Sequence, residues 1–449
     1  MSRAVTPIPQ THYATLGDDR IAYQTFGEGD LDIIYVPSLG DCMECRWDWP
    51  SYATFLERLS ASARVIMFDM RGSGVSDAAT GQALPSWERW ADEARVVLDA
   101  VNSNQCVVCG AADGSPTAIL FAASHPARTR GLILLNASAR FAAAPDYPVG
   151  LPTDVQDRLT TFIEQAWGTD SFAEMVYPDA SCDPAFRTWI AKSQRFALGP
   201  RAASHYLDMA RALDVRQVLD SIRVPALILH REAYGIISAE HGRYVAEHIK
   251  GARFGLVPGR DLSFYTEPMD EALRLIEDFL RGLSGRFEPD RALAAILFTD
   301  LVGSTERVSA IGDREWRLLI ESHDAVVRAV VAQHRGRVVK MTGDGTLATF
   351  DGPGRAIHCS VKLRDALRPL GLQIRAGLHT GEIEMRGDDI AGIGVHIAAR
   401  VCDCAEAGDL LVTAAVPMLV AGSGIEFDDA SERELKGVPG TWQLFAVKD

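Results

Sequence analysis

The sequence predicts two domains: an α/β domain built on a mostly parallel sheet, and an α+β sandwich of the ferredoxin-like kind. The chain has 449 residues, more than one compact core usually accommodates. Short apolar runs alternate with helix-like segments over residues 1–285, as in sheets that helices cover on both faces. Over residues 286–449 the order changes to a strand, a long helix, a hairpin and further alternating elements, which favours the second architecture.

The first domain begins with a hairpin over residues 11–27, where polar and apolar residues alternate around an acidic turn. Its predicted strands are 31–36, 64–68, 105–109, 132–135, 225–230 and 253–257, and its predicted helices are 52–60, 87–101, 116–124 and 268–283. Residues 145–220 interrupt this order with helix-like segments, so we expect a helical lid there. Its aromatic residues either roof a pocket or form the lid's own core: Phe162, Trp167, Phe172, Tyr177, Phe186, Trp189, Phe196 and Tyr206.

A domain boundary is predicted at residues 281–290, where two glycines, a serine and a proline follow a helix. The segment is short, so we expect the two domains to be coupled. In the second domain the predicted strands are 292–299, 372–378, 382–386, 410–413 and 442–447, the hairpin spans 337–350, and the helices are 306–334, 354–367 and 396–402.

Composition restricts the classes of function. The formal net charge of −15 argues against a nucleic-acid-binding protein, because no basic face is available for phosphates. We find no apolar run of about 18 residues and no signal-peptide pattern, so we expect a cytoplasmic protein without a membrane span. The CxxC pairs Cys42/Cys45 and Cys106/Cys109 are compatible with zinc or with reduced, buried thiols. Residues three apart on a strand face opposite sides, which makes the second pair a poor metal site.

Two aspartates stand at strand ends in the second domain. An apolar strand leads into Asp300, and Gly303 to Thr305 then open a helix. Asp344 lies between two glycines at the tip of the hairpin, so its carboxylate can stand clear of the sheet. Two carboxylates beside a helix N-terminus are suited to divalent metal and phosphate, although each aspartate alone is also an ordinary turn or cap residue.

Four motifs in this half resemble those of class III nucleotide cyclases. They are Phe298-Thr-Asp-Leu-Val-Gly-Ser-Thr305, Lys340-Met-Thr-Gly-Asp-Gly345, Ile374-Arg-Ala-Gly-Leu-His-Thr-Gly-Glu382 and Asp389-Ile-Ala-Gly-Ile-Gly-Val-His-Ile-Ala-Ala-Arg400. The resemblance implies that Asp300 and Asp344, with the backbone carbonyl of Leu301, hold two Mg²⁺ or Mn²⁺ ions per site. It also implies that the phosphates of ATP lie against the N–H groups of Gly303, Ser304 and Thr305.

The same resemblance assigns the remaining substrate contacts. Lys340 and Asp389 match the pair that reads adenine, and Arg375 and Lys436 match positions that contact the triphosphate. Arg400 matches the residue that stabilises the charge on the α-phosphate, and it shares a helix face with His396. The family commonly has asparagine at the position of His396, so we expect activity to survive with an altered rate or pH dependence. A homodimer is implied, in which one subunit supplies the acids and its partner supplies Lys340, Asp389, His396 and Arg400.

The first half resembles the α/β-hydrolases with a helical lid. The matching stretches are Phe68-Asp-Met-Arg-Gly-Ser-Gly-Val-Ser-Asp77, Cys109-Gly-Ala-Ala-Asp-Gly-Ser-Pro116 and Val224-Pro-Ala-Leu-Ile-Leu-His230. That chemistry needs a serine within G-x-S-x-G, where this chain has Ala112, and Ser115 falls in the following helix. Tyr234 (Glu232 being the less favoured match) stands at the acid position and Leu262 at the histidine position, so a base is missing as well. We expect no serine-hydrolase activity here.

These observations together predict an adenylate cyclase that makes 3′,5′-cyclic AMP and pyrophosphate from ATP. The combination also resembles a bacterial subgroup that fuses an α/β-hydrolase domain to a cyclase. The first domain is then expected to be regulatory, either by binding a small apolar molecule under its lid or by supporting dimerisation and stability. Two alternatives remain: a ligand-binding signalling protein with weak or conditional cyclase activity, and an esterase or lipase.

Overall fold

A computed structural model describes residues 8–78, 86–283, 291–386 and 389–448. The chain divides into two compact units, one within residues 1–289 and the other within residues 290–449. Most of the predicted boundary segment, residues 284–290, lies outside the described residues. None of the described helices is both long enough and apolar enough to cross a membrane.

The first unit contains one mixed sheet with helices on its faces. Its described strands are β1 His12–Leu16, β2 Asp19–Phe26, β3 Asp32–Val36, β4 Arg64–Phe68, β5 Cys106–Ala111, β6 Thr129–Leu135, β7 Ala226–Arg231 and β8 Arg253–Val257. They lie in the order β1-β2-β4-β3-β5-β6-β7-β8; the pairs β1/β2 and β2/β4 are antiparallel, and the remaining pairs are parallel. The predicted hairpin and the six predicted strands are therefore confirmed.

Helices alternate with these strands, and four more form the lid. The helices are α1 Pro50–Ser60, α2 Trp87–Ala100, α3 Ser115–Ser124, α4 Thr153–Ala166, α5 Asp170–Val176, α6 Pro184–Ala197, α7 Pro200–Ala212, α8 Ala239–His248 and α9 Asp270–Gly282. Local sequence explains several starts: the Ser86 hydroxyl accepts the N–H of Arg89 at the start of α2, and Asp183 caps α6, which has a proline in its first turn. The lid, α4 to α7, is helical as predicted.

Most of the lid aromatics pack into the hydrophobic core and do not roof a pocket. Trp189 stacks on Trp49, and Phe186 contacts the same ring edge-on. Phe196 differs because it is 60% exposed. Phe172 lines a cavity, and the other lid residues that line this cavity are mainly aliphatic. The core interpretation of the lid aromatics therefore fits better, with Phe172 as the exception.

The second unit contains a second sheet with helices packed on it. Its described strands are β9 Arg291–Leu301, β10 Arg337–Met341, β11 Gly345–Phe350, β12 Ile374–Arg386, β13 Asp389–Ala391, β14 Leu410–Thr413, β15 Ser431–Glu434 and β16 Thr441–Ala446. Its described helices are α10 Ser304–Ile311, α11 Asp313–Gln333, α12 Pro353–Leu367, α13 Ile393–Asp403 and α14 Ala415–Leu419. The strand order is β10-β11-β9-β12-β14-β16-β15, with β13 paired to β12.

Two sequence predictions for this unit are wrong. The helix predicted over 306–334 is two helices, α10 and α11, because Gly312 between them has φ 82°, which a continuing helix cannot accommodate. The strands predicted over 372–378 and 382–386 are one strand, β12. It pairs with β9 from Ile374 opposite Leu301 to Glu384 opposite Arg291, so the glycine between the two apolar runs is not a turn.

Strand β9 contributes residues to two hydrophobic clusters, one on each face of the sheet. Ala295, Leu297 and Leu301 belong to a core that includes residues of α11 and α12. Ala294 and Ile296 belong to a second cluster that includes Ala398 of α13. Because alternate residues of a strand face opposite sides, Asp300 shares the face of Ala294 and Ile296.

Candidate active site

Strand pairing brings the two predicted metal-binding acids to one end of the second sheet. Asp300 is the penultimate residue of β9 and lies opposite Gly345, the first residue of β11. Asp344 precedes that glycine in the turn from β10, and its carbonyl oxygen accepts the N–H of Leu301 at 3.2 Å. Gly343 has φ 95°, so this tight turn requires glycine there.

Both carboxylates have a partner on one oxygen. Arg375 of β12 donates from Nε and Nη2 to Oδ2 of Asp300, at 2.9 and 2.6 Å. This hydrogen bonding raises the pKa of the Arg375 guanidinium. The hydroxyl of Ser304 donates to Oδ2 of Asp344. The structure thus places Ser304 and Arg375 at the two acids, and it shows an ion pair that sequence reasoning missed.

The donor set at this end of the sheet fits a divalent cation that prefers oxygen. The two contacts use Oδ2 of each carboxylate, which leaves Oδ1 of Asp300 and Asp344 available as ligands. Carboxylate and carbonyl oxygens, here including that of Leu301, suit Mg²⁺ and Mn²⁺. No group of three or more His, Cys, Asp or Glu side chains able to hold a metal occurs within the described ranges.

The loop that follows β9 ends at a helix N-terminus beside these acids. Gly303 has φ 69°, a left-handed conformation that turns the chain into α10 at Ser304. The first N–H groups of a helix have no partner inside it, so they are available to an anion. Gly303, Ser304 and Thr305 therefore occupy the position expected for phosphate binding.

The two residues predicted to read the base lie on β10 and β13, which pair with different strands of the sheet. Lys340 on β10 is exposed and lies opposite Leu347 of β11, which puts it on the same sheet face as Asp300. Asp389 begins β13, which lies close to β10, and its carboxylate accepts the N–H of Ile390 at 2.8 Å. Lys340 and Asp389 form no ion pair with each other within the parts of the chain that are described.

The predicted catalytic pair lies on the outer face of α13. Ile397, Ala398 and Val401 are buried on the inner face, which leaves His396 exposed and Arg400 half-buried. Arg400 pairs with Asp403 on its own helix at 2.8 Å, and the structure does not bring it onto Asp300 or Asp344 within the described residues. Lys436, after β15, is exposed and likewise stays apart from the acids.

In the first unit, the three residues predicted to stand at the triad positions, Ala112, Tyr234 and Leu262, all line one cavity of about 100 Å³. Ala112 has φ 46°, so the strained turn that would expose a nucleophile persists without one. Burial raises the pKa of the Tyr234 hydroxyl. The Leu262 N–H is bonded to the carbonyl of Val176.

Sequence reasoning missed Asp113 in this cavity. Its carboxylate accepts the N–H of Leu39 at 2.7 Å, across 74 residues of chain. The sequence shows that Asp113 directly follows the predicted nucleophile position, but it gives no sign that the carboxylate bonds to Leu39. Ser115 begins α3, is fully buried, and its hydroxyl lies 3.4 Å from the carbonyl of Gly110, so it is directed away from the cavity.

Comparison with known proteins identifies both units. Residues 290–449 match the family described as adenylate and guanylate cyclase catalytic domain, and residues 49–258 match that described as serine aminopeptidase, S33. The chain therefore consists of an α/β-hydrolase domain followed by a class III adenylate/guanylate cyclase domain.

Individual relatives match one half or the other. A Rhizobium meliloti protein that carries the name of an adenylate cyclase is 31% identical over 33% of this chain, which spans 27% of that relative. Human serine hydrolase BPHL is 26% identical over 58% of this chain and 83% of its own length. An enol-lactonase from Burkholderia xenovorans shares the fold of the first unit, with a TM-score of 0.50 at 24% identity over 60% of this chain and all of that chain.

Proposed function

We propose that this protein is an adenylate cyclase that converts ATP into 3′,5′-cyclic AMP and pyrophosphate. The observation that carries the proposal is the pair of carboxylates at one end of the second sheet, Asp300 and Asp344, each with a free oxygen beside a helix N-terminus. Asp300 and Asp344 would hold divalent cations there, and these would supply activation of the ribose 3′-hydroxyl and positive charge for the leaving pyrophosphate. A cytoplasmic location would supply the ATP.

The chain's own residues bind and orient the nucleotide. The carboxylate of Asp389 accepts a hydrogen bond from the exocyclic amine of adenine, and Lys340 donates to a ring nitrogen. Guanine presents the opposite pattern of donors and acceptors, so this pair favours ATP. The N–H groups at the start of α10 receive phosphate oxygens, and Arg375 and Lys436 add positive charge to the triphosphate.

A homodimer completes each site in this proposal. Arg400 and His396 face outward on α13 and pair with none of the acids of their own sheet in the described residues, which is compatible with service to a partner subunit. Beside them Ile393 is 60% exposed, an apolar side chain that an interface would cover. Arg400 then stabilises the negative charge that develops on the α-phosphate.

The test is cyclic nucleotide formation by the full chain with Mn²⁺, with ATP and GTP as alternative substrates. We expect product from ATP and loss of activity in Asp344→Ala. The matched control is Asp365→Ala, which removes an exposed aspartate of α12 and should keep activity. Absence of product from ATP in the unmodified chain, or equal use of GTP, would contradict the proposal.

The dimer is tested by mixing two inactive chains. Asp300→Ala and Arg400→Ala are each expected to be inactive, and random mixing should restore about a quarter of the activity, because half of the dimers then hold one intact site of two. A mixture as inactive as its components, with both chains folded, would rule out sites shared between subunits.

For the first unit we propose a role in regulation without hydrolysis. Ala112, Tyr234 and Leu262 stand where a nucleophile, an acid and a base are needed, and they line a cavity that remains able to hold a small molecule. Signalling by ligand binding, with weak cyclase activity, is the second candidate. An esterase or lipase is the third, and the missing serine counts against it.

A further inference from the structure

The cavity of the first unit is small and mainly apolar. Its volume is about 100 Å³, and the lid supplies Leu159, Ile163, Phe172 and Leu207 to its lining. An engineered apolar cavity of about 150 Å³ binds benzene, so space on this scale accommodates a single ring or a short alkyl chain. The size and the lining therefore favour a small apolar ligand.

Asp113 occupies the place where an α/β-hydrolase would bind the oxyanion of its substrate. In that fold the two donors are the N–H of the residue after the nucleophile and an N–H from the loop after β3. Here those residues are Asp113 itself and Leu39. The Asp113 carboxylate accepts the N–H of Leu39 at 2.7 Å. One of the two donors is thus already bonded to a carboxylate of the protein.

The surroundings of Asp113 keep this acid in an apolar environment. The hydroxyl of Tyr206 lies 3.4 Å from the Asp113 carbonyl oxygen, and burial raises the pKa of the Asp113 carboxyl to about 6. The positive charge nearest the cavity, on Arg140, is paired with Asp214 at 2.7 Å. A ligand anion would therefore meet a carboxylate of the same charge in a medium of low dielectric constant.

An ester or ketone is also disfavoured, because its carbonyl oxygen would have to compete with the Asp113 carboxylate for the N–H of Leu39. A hydroxyl group, in contrast, can donate a hydrogen bond to the carboxylate while its apolar part contacts the lid. The same residue thus selects against the substrates of a hydrolase and in favour of a hydrogen-bond donor.

We propose that the first unit binds a small, uncharged, apolar alcohol or phenol in this cavity, with the ligand hydroxyl donating to the Asp113 carboxylate. The inference specifies the ligand class for the regulatory role proposed above. It concerns binding alone, so its test does not depend on cyclase activity.

The experiment measures binding to the full chain by calorimetry at pH 7.5, with 1-hexanol, hexanoate and methyl hexanoate as probes of equal chain length. We expect saturable binding of 1-hexanol, and binding of the anion and the ester weaker by about tenfold or more. Asp113→Asn should reduce the preference for the alcohol over the ester about tenfold. Asp220→Asn, which changes an exposed aspartate outside the cavity, should leave the preference unchanged.

A second variant keeps the test decisive if Asp113→Asn does not fold. Ala210 lines the cavity from α7, and Ala210→Phe is expected to fill the space and abolish 1-hexanol binding while a cooperative unfolding transition persists. Three results would each overturn the proposal: no saturable binding of 1-hexanol, hexanoate binding as tightly as 1-hexanol, or unchanged 1-hexanol binding in folded Ala210→Phe.

Discussion

Arg375 illustrates how one side chain can serve two charges in turn. In this structure its guanidinium is bonded to Asp300, a predicted metal ligand, across 75 residues of chain. In the function proposed above, a cation held by that carboxylate would weaken the attraction between the two side chains and leave the guanidinium available to the triphosphate. At the residue scale, Arg375 balances the charge of Asp300 in this structure.

Replacement of Arg375 should change metal and nucleotide dependence in opposite directions. In Arg375→Ala we expect the KM for ATP to rise about tenfold, because a triphosphate contact is lost. The Mn²⁺ concentration for half-maximal activity should fall, because Asp300 no longer has a competing cation. Steady-state kinetics at varied ATP and Mn²⁺ measure both, with Arg375→Lys as the control that keeps the charge. Unchanged values of both would show that the ion pair has no part in the reaction.

Restoring a serine at position 112 should not restore hydrolysis. The Ala112 backbone already has the strained φ of 46°, so Ala112→Ser supplies the hydroxyl in the right turn. It still lacks a base, and the Asp113 carboxylate still accepts the N–H of Leu39, one of the two oxyanion donors. Hydrolysis of p-nitrophenyl butyrate by Ala112→Ser should equal that of the unmodified chain. A rate above this background that a serine-directed inhibitor removes would contradict the expectation.

At the scale of elements, the turn from β5 to α3 is held by close backbone packing. A Cβ atom on Gly114 would lie 2.6 Å from the carbonyl oxygen of Pro37, and one on Gly110 would lie 2.6 Å from the Cβ of Ala118. The close packing therefore requires glycine on both sides of the turn that carries Ala112.

Gly114→Ala should destabilise the first unit by about 2 kcal/mol, because backbone atoms must move to admit the methyl group. Gly199→Ala is the matched control, since a Cβ there meets no atom within 4 Å and the φ of −74° suits alanine. Its free energy of unfolding should change by about 0.5 kcal/mol or less. Urea denaturation of both variants measures the difference, and equal values would refute the packing argument.

Strand β12 carries a buried titratable group that makes the second unit sensitive to acid. Burial lowers the pKa of His379 to about 4, and its Nδ1 lies 2.9 Å from the hydroxyl of Thr413. The unfolded chain has the ordinary value near 6.5, so it binds a proton first as the pH falls. The stabilisation is present above pH 6.5 and is lost as the pH falls from 6.5 to about 4, by up to about 3 kcal/mol.

His379→Asn should flatten this pH dependence, because asparagine can keep the hydrogen bond to Thr413 without titrating. The control is His358→Asn, which changes an exposed histidine of α12. Urea unfolding at pH 7.5 and pH 5.0 provides the comparison. If the slope with pH is the same in His379→Asn as in the unmodified chain, His379 is not its source.

At the scale of the whole molecule, the chain contains hydrophobic cores that share no residues. The large cluster of the first unit draws on residues 22–283, and the clusters of the second unit draw on residues 294–447. The hydrophobic core of each unit is large enough to support a cooperative unfolding transition.

We therefore expect calorimetry of the full chain to resolve two thermal transitions. Gly114→Ala should lower the midpoint of the transition that belongs to the first unit by several degrees and leave the midpoint of the other transition unchanged. Acidification from pH 7.5 to pH 5.0 should lower the midpoint of the transition that belongs to the second unit, and His379→Asn should reduce that shift. A single transition that moves with both substitutions would show that the chain unfolds as one unit.

The sequence by itself determined the two architectures, most strands and helices, the two acids and the loss of the serine. These features are local: a strand, a Gly-Asp-Gly turn or a missing nucleophile is written in adjacent residues. Two predictions from the sequence were wrong. The helix predicted across Gly312 is interrupted by the backbone angle of that glycine, and the two strands predicted within β12 are one strand because it pairs continuously with β9.

Only the tertiary structure decided the contacts that define both sites. Arg375 meets Asp300 across 75 residues, and Asp113 meets Leu39 across 74. Pairing and packing between distant segments leave no periodic pattern in the sequence, because each partner alone is an ordinary charged or apolar residue. The sequence thus specified which groups the chain possesses, and the fold determined which of them are bonded to one another.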